Sequence, residues 1–421
     1  MKTKQPAKSD TTILSQICKQ IPEHLVAKIA RKYGVDDQAR TFSPWSHVVS
    51  LLYAQITHSI GLNDVCDGLG HHATKLATIR GATAPAKNTL SHANRTRDSD
   101  MMEELFWEML KHLQATTQHF GIRYKGLPRR FKKTISAIDS TTITLLANSM
   151  NWAKHRRRKA AAKMHLRLDL QTFLPACAII EEASHHDDTR AQQLCANLQE
   201  GEIALFDKAY INFIHLYALN QRGIHWVTRA KDNMSFIVKK KLLKKPHGKI
   251  ISDDIIMLKT PKSKEQYPVT LRRVEMFVEL DGKDVPMVFL TNNTEWAAST
   301  VGELYKSRWG IEVFFKQIKQ TLRVCDFLGH NKHAIRWQLW AALLFYILLR
   351  HNGQQANWPH SFSRLFTMLR GLIWDRVSMP ELLEHYGTAS GPWRMRATPE
   401  TTYLPGLAPP HYGTACDLLA S

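Results

Sequence analysis

The sequence predicts a mixed α and β protein, of α+β or α/β class, in which an all-helical N-terminal domain precedes a larger domain built on a sheet. Three observations lead there. From Ile13 to about Leu113 apolar residues recur at intervals of three and four, as in ILSQICKQI and MEELFWEMLKHL, without strand-like alternation. Two apolar runs, ISAIDSTTITLL from Ile135 and EIALFD ending at Asp207, read as strands that each carry one aspartate. The stretch Ser299 to Leu322, STVGELYKSRWGIEVFFKQIKQTL, consists almost throughout of helix formers. It reads as one long helix, capped by Ser299 or Thr300 with Glu303 close behind and interrupted only by Gly310.

A chain of 421 residues suffices for two or three domains with a sizeable core. Lys and Arg number 57 against 37 Asp and Glu, a net charge of +20. Such a surplus points to a polyanionic partner, because each cation set on a phosphate releases a counterion. Nucleic acid fits better than an acidic membrane surface. The longest apolar run, Trp337 to Leu349, has 13 residues, where roughly 20 are needed to span a bilayer. A buried core helix is expected there. No apolar segment follows the charged start MKTKQPAKSDTT, so no secretory signal is expected. The six cysteines form no C-x-x-C pair and no zinc spacing, and read as reduced thiols of a cytoplasmic protein.

Residues 1–12 are polar and lysine-rich, expected as a disordered arm. Residues 13–125 form the helical domain, in which Asp64, Ser91 and Ser99 look like caps and Gly68, Gly70 and Gly81 like loop residues. The segment KNTLSHANRTR sets Lys87, Arg95 and Arg97 among small polar side chains on a short helix. Such side chains suit phosphates and base edges, as they also suit a solvated surface. A basic, loop-like boundary between about Thr116 and Lys133 leads into the sheet domain, residues 126–238 and 285–387. Asp139 interrupts a strand from Ile135 to Leu145, where a carboxylate is costly unless paired or metal-bound, although Asp-Ser-Thr also favours a turn. The run KHRRRK, 154–159, is a solvated loop or a DNA-backbone contact. AKMHLRLDLQTFLPACAIIEE reads as a hairpin turning near Gln171 to Pro175. His185 and His186 precede a helix and, with no third ligand nearby, are kept as loop residues.

Asp207 ends a short buried strand, where it serves a site or caps the following helix. IHWVTRAKDN is the next strand and brings Arg229 and Lys231 near that acid, where they are placed for the scissile phosphate or lie at the surface. Residues 239–284, lysine-rich and then alternating around Asp281-Gly282, read as a small β-rich insertion. VPMVFLTNN should then return to the main sheet, and residues 388–421 form a tail containing Pro and Gly.

Within the long helix Tyr305, Arg308, Glu312 and Lys319 fall in one narrow stripe, flanked by apolar Leu304, Ile311, Phe314, Phe315 and Ile318. Taken alone, Glu312 is also an ordinary helix-face partner for Arg308 and Lys316. Taken whole, Tyr-x2-Arg-x3-Glu-x6-Lys resembles the signature of the IS-four family of DDE transposases, bacterial insertion-sequence enzymes. Asp207, Ala209, Tyr210 and Phe213 resemble the family's motif around its second acid, and Asp139 stands where the family carries its first. PWSHVVSLLYAQIT and NTLSHANRTR are similar to the small N-terminal domain found in part of the family. The resemblance covers about residues 40–350.

The resemblance implies a ribonuclease-H-like catalytic domain carrying the β-rich insertion, with Asp139, Asp207 and Glu312 as catalytic acids. They would hold two divalent ions, Mg²⁺ or Mn²⁺, since carboxylate oxygens suit such cations. Tyr305, Arg308 and Lys319 would contact the DNA backbone at the cleaved end. The implied reaction is cleavage by water at the ends of the transposon, then attack of the freed 3′-hydroxyl on target double-stranded DNA. Trp296 and Trp309 are candidates to hold a flipped base. Joining two ends implies a homodimer in the synaptic complex, in a nucleoid-associated enzyme with no membrane partner. Two other readings share these features: a metal-dependent nuclease without strand transfer, and a non-catalytic DNA-binding relative.

Overall fold

The computed structural model describes residues 6–385 except 38, 119, 122–126, 145–160, 183–186, 281, 323–326 and 330. KHRRRK, His185, His186 and the tail 388–421 lie outside the described residues. The three-and-four periodicity becomes seven helices: α1 (Ile13–Cys18), α2 (Glu23–Lys32), α3 (Pro44–Thr57), α4 (Leu62–His71), α5 (Ala73–Ala77), α6 (Lys87–Thr96) and α7 (Asp100–Thr116). Ser43 starts α3 by accepting from the Ser46 N–H, with Pro44 at the first helical position. Asp64 does cap α4, from its third position, by accepting from the Ile60 and Gly61 N–H groups.

Three expectations for this region are corrected. Ser91 is an exposed residue inside α6, not a cap. Gly68 and Gly70 lie within α4 rather than in loops. Gly68 is there for space: a Cβ would come within 2.2 Å of the Tyr53 hydroxyl. Residues 6–12 of the expected arm are tied down, since Lys8 bridges Val377 and the Ser9 N–H donates to the Arg376 carbonyl.

The strands are β1 (Ile135–Thr144), β2 (Ala161–Asp169), β3 (Leu174–Glu182), β4 (Ile203–Phe206), β5 (His225–Arg229), β6 (Phe236–Lys241), β7 (Ile250–Leu258), β8 (Leu271–Leu280) and β9 (Lys283–Thr291). They form one sheet in the order β3-β2-β1-β4-β5-β9-β8-β7-β6, parallel only from β1 through β4 to β5. Helix α8 (Asp187–Leu194) leads from β3 at the sheet edge to β4, and α9 (Phe213–Gln221) connects β4 to its parallel neighbour β5. The β-rich insertion is joined to the main sheet, to which VPMVFLTNN returns as expected. Strand β9 pairs with β5 on one side and β8 on the other, so β6 to β8 extend the main sheet, with one further helix, α10 (Pro261–Gln266).

Alternation along the strands decides which face each acid takes. Ile138, Ala204, Phe206 and Trp226 face α8 and α9, whereas Ile135, Ala137, Ile203, Leu205 and Val227 face the opposite cluster. Asp139 follows the second set, and Asp207 continues it just past the end of β4.

That second face is covered by α11 (Ala298–Ser307), α12 (Gly310–Lys316) and a π-helical turn over Gln317–Thr321. The expected single helix is therefore broken, and it starts at Ala298 without a side-chain cap. At the break, the N–H groups of Arg308, Trp309, Ile311 and Glu312 each donate to the carbonyl three residues before. This tighter winding, beside Gly310, turns the chain by a local change of hydrogen-bond pattern. Helix α13 (Lys332–Gln355) buries the whole run Trp337 to Leu349 apart from a partly exposed Gln338. Among the described residues no helix is long and apolar enough to cross a membrane. Helices α14 (Phe362–Gly371) and α15 (Met379–His385) follow. One apolar cluster runs from Ile13 and Met102 through Trp340 and Phe314 to Phe289, so the helical region and the sheet share a core.

Candidate active site

The parallel pairing of β1 with β4 sets Ile138 opposite Phe206. The next residue on each chain is an acid, so Asp139 and Asp207 emerge side by side. Arg308 closes the site from above. Its Nη1 lies 2.9 Å from Asp139 Oδ2 and its Nη2 2.9 Å from Glu312 Oε1. The Tyr305 hydroxyl donates to Asp207 Oδ1 at 3.4 Å. Its ring packs 4.9 Å from Phe289 and carries the Arg308 guanidinium 5.4 Å from its centre. Three acids from three separate segments thus gather about one guanidinium and one phenol. Of the local uses foreseen for these acids, Glu312 does pair with Arg308 four residues back, whereas Asp207 accepts from the Ala209 N–H at 3.3 Å at a 3-10 turn and Asn212, not Asp207, caps α9.

Electrostatics at the site reflect crowding out of water. Burial pushes the Asp139 carboxyl up to about 6; Arg308 and the Ser140 N–H pull it back, while Asp207 and Glu312 push it further. Burial also raises the Tyr305 hydroxyl. For Arg308 burial opposes the charge, yet Tyr305, Asp139, Glu312 and Asp207 together hold its pKa above the ordinary value.

Between the ordinary value of 3.8 and about 6, folded Asp139 keeps a proton that the unfolded chain has released. Its contribution to stability is therefore present at low pH and lost as pH rises through that window. In protein free of DNA and metal, the Tm of the wild type relative to Asp139→Asn should fall across that range. A constant difference would assign the titration to another group.

Three carboxylates without a thiol or imidazole among them suit a hard divalent cation such as Mg²⁺ or Mn²⁺. In this arrangement Arg308 supplies the positive charge between Asp139 and Glu312. Among the described residues no group of three acidic, histidine or cysteine side chains is arranged to hold an ion. The donor chemistry fits the metal, and Arg308 occupies the place between Asp139 and Glu312 that a shared ion would take.

Residues 130–348 match the family described as Transposase DDE domain. The chain belongs to this family of DDE transposases. Residues 9–79 match a second family, described as a domain of unknown function, DUF4372. Over 385 residues the chain is 26% identical to the probable transposase for insertion sequence element IS5377 of Geobacillus stearothermophilus, covering 89% of this chain and 96% of that one. It is 30% identical over 270 residues to putative transposase y4zB of Sinorhizobium fredii, covering 63% and 71%. A putative transposase for insertion sequence element IS4SA of Synechocystis is 22% identical over 285 residues, covering 66% and 74%. The protein is a DNA transposase, an enzyme of DNA cleavage and strand transfer, and DDE transposases use divalent metal ions.

The remaining candidate residues of this transposase separate by position. Lys319 reaches β1, where its Nζ donates to the Thr142 carbonyl at 2.7 Å, and burial lowers its pKa. Arg229 ends β5, near enough for its charge to act on Tyr305. Lys231 is exposed and bonds to the Ile211 carbonyl at 3.4 Å, outside the cluster of acids. Trp296 packs edge-on against Phe131 and His225, and its carbonyl accepts from Arg272, itself doubly bonded to Asp253. Trp309, partly buried, stands at the helix break beside Arg308.

In α6 the expected trio divides. Lys87 and Arg95 share an exposed face with Asn88, Ser91 and His92. Arg97 instead turns inward, donating to the Phe42 carbonyl and lying 5.3 Å from the Phe42 ring, and burial lowers its pKa to about 10. It anchors the helix, which corrects its reading as a DNA contact. Sequence reading passed over Gln55 and His58, which bond to Leu322 and Thr321 across 267 and 263 positions. No local signal marks them, because their partners are defined only by the fold.

Proposed function

We propose that Asp139, Asp207 and Glu312 are the metal-binding acids of an IS-four type transposase with a ribonuclease-H-like core. It cuts at the ends of its insertion sequence and joins the 3′ ends to double-stranded target DNA. One observation carries this reading: Arg308 ties Asp139 to Glu312, and Tyr305 reaches Asp207, across 169 positions in the first case and 98 in the second. The Tyr-x2-Arg-x3-Glu-x6-Lys spacing supports the narrower family.

Two Mg²⁺ ions, when bound by the three carboxylates, would supply an activated water and stabilise charge on the reacting phosphate. The chain's own side chains do the rest. Tyr305 orients Asp207. Arg308 exchanges its carboxylate partners for a DNA phosphate, and Arg229 and Lys319 add cations around the acids. The exposed lysines of β6 and the following loop, Lys239, Lys240, Lys241, Lys244 and Lys245, offer further phosphate contacts. Residues 13–125 serve end recognition through the outer face of α6. Synapsis of two ends calls for a homodimer on the nucleoid.

Supercoiled plasmid carrying the DNA that flanks this coding sequence tests the reading, with and without Mg²⁺. Ends joined to new sites support it; nicks alone favour a nuclease, and a mobility shift without cleavage a binder. For end recognition, Lys87→Glu with Arg95→Glu should weaken end binding by roughly tenfold or more and flatten its salt dependence. Thermal stability should not change. Arg97→Ala should instead lower the Tm, because losing its buried bonding costs about 1–3 kcal/mol of stability. Unaltered end affinity in the double variant would return the α6 face to ordinary solvated surface.

A further inference from the structure

The helical region holds the far end of the signature segment. In the π-helical turn the Leu322 N–H reaches back five residues to the Gln317 carbonyl, leaving the last carbonyls without partners inside the helix. Thr321 O accepts from His58 Nε2 at 2.9 Å, and Leu322 O accepts from Gln55 Nε2. Gln55 is buried in α3, and His58 ends that helix in the left-handed conformation at φ 57°. Arg370 Nη1 of α14 donates to His58 Nδ1 at 2.8 Å, so the proton of the imidazole stands on Nε2, aimed at Thr321. Thr321 Oγ1 is further bonded to Ser363 Oγ at 2.7 Å. A π-turn inserts one residue, a rotation of about 100° for everything beyond it. Lys319 rides on this turn and is held against β1, three residues past Asp139.

We propose that Gln55 and His58 are positioning residues for strand cleavage, pinning the π-turn so that Lys319 stays against β1, three residues past Asp139. The proposal rests on the reading of Lys319 as a contact to the cleaved end. Because the clamp belongs to α3, the helical region and the signature segment are mechanically one unit.

Gln55→Glu keeps the shape and sets an acceptor against the Leu322 carbonyl. His58→Asn keeps a residue that tolerates the left-handed backbone and shortens its reach. In the full-length protein without DNA, labelling of Lys319 by acetic anhydride, read by peptide mass spectrometry, should rise several-fold in both variants. Labelling of exposed Lys262 and Lys283 should stay constant. On the flanking-DNA plasmid at saturation, each variant should cleave roughly 10- to 100-fold more slowly with unchanged end affinity. Adding Lys319→Ala should then cause no further loss, the mark of a shared effect. Unchanged Lys319 labelling, or losses that add to those of Lys319→Ala, would overturn the proposal. If Gln55→Glu does not fold, His58→Asn decides. A wild type that leaves the plasmid intact counts against the reading of the acids, and the DNA-free labelling then decides the clamp by itself.

Discussion

Glu312→Gln should abolish cleavage and strand transfer while leaving binding of the ends intact or slightly tighter. The side chains are nearly the same size, so α12 keeps its packing and Arg308 keeps its bond to Asp139. What is lost is one negative charge from the three carboxylates proposed to hold divalent cations. Metal-assisted stabilisation is worth several kcal/mol, and each 1.36 kcal/mol is a factor of ten, so the expected fall is about 10³-fold or more. Binding moves the other way, because one fewer carboxylate faces the phosphates. Cleavage assays beside gel shifts on the same DNA read both. Wild-type cleavage by Glu312→Gln would reduce Glu312 to a helix-face partner of Arg308, and the central assignment would fall.

Arg308→Ala should have the next largest effect, and in two directions. Only 7% of the Arg308 side chain is exposed, and it answers both Asp139 and Glu312. Its removal strands those acids without their counter-charge, a loss of about 3–5 kcal/mol when a buried pair is broken. The DNA-free protein should therefore melt at lower temperature. Mn²⁺ should restore more of that stability than it adds to the wild type, because the guanidinium no longer competes for the same oxygens. Cleavage should still be impaired, as the proposed contact of Arg308 with a DNA phosphate would be gone. Arg308→Lys should rescue poorly, since a single ammonium cannot bridge two carboxylates as the forked guanidinium does. A variant that melts like the wild type and shows no enhanced Mn²⁺ response would mean that Arg308 does not stand in for the metal.

The acids were legible because each sits in a pattern that local chemistry writes. Asp139 breaks a β-branched run, Asp207 ends a short apolar strand, and Glu312 shares a stripe with Tyr305 and Arg308. Burial and pairing across the sheet act on such short-range patterns, so the strands and most helices could be placed from them. The single continuous helix failed just where the backbone departed from 3.6 residues per turn, although Tyr305, Arg308 and Glu312 still meet at one site across the break. Tight winding at Arg308 and Trp309 coincides with the bond from Arg308 to Asp139, and the π-turn after Lys316 with the bonds from Gln55 and His58.

Arg97 gives the same lesson from the opposite side. In KNTLSHANRTR it is one basic residue among three, and nothing in that string separates it from Arg95. Only the nearness of Phe42 turns it inward. The lysine-rich insertion likewise alternates as strands should, yet that alternation could not say that β9 would be shared between β5 and β8.

By itself, then, the sequence determined the helical N-terminal region, the strand-borne aspartates, the signature segment and the demand for a polyanionic partner, because each is set by residue type over a few turns or one strand. Tertiary structure alone decided which cation answers which acid, that the two expected domains share one core, and that α3 caps a helix more than 260 positions away. The reason is physical: a buried charge or an unpaired carbonyl takes whatever partner the packed chain brings within reach, and chain distance does not enter that energy.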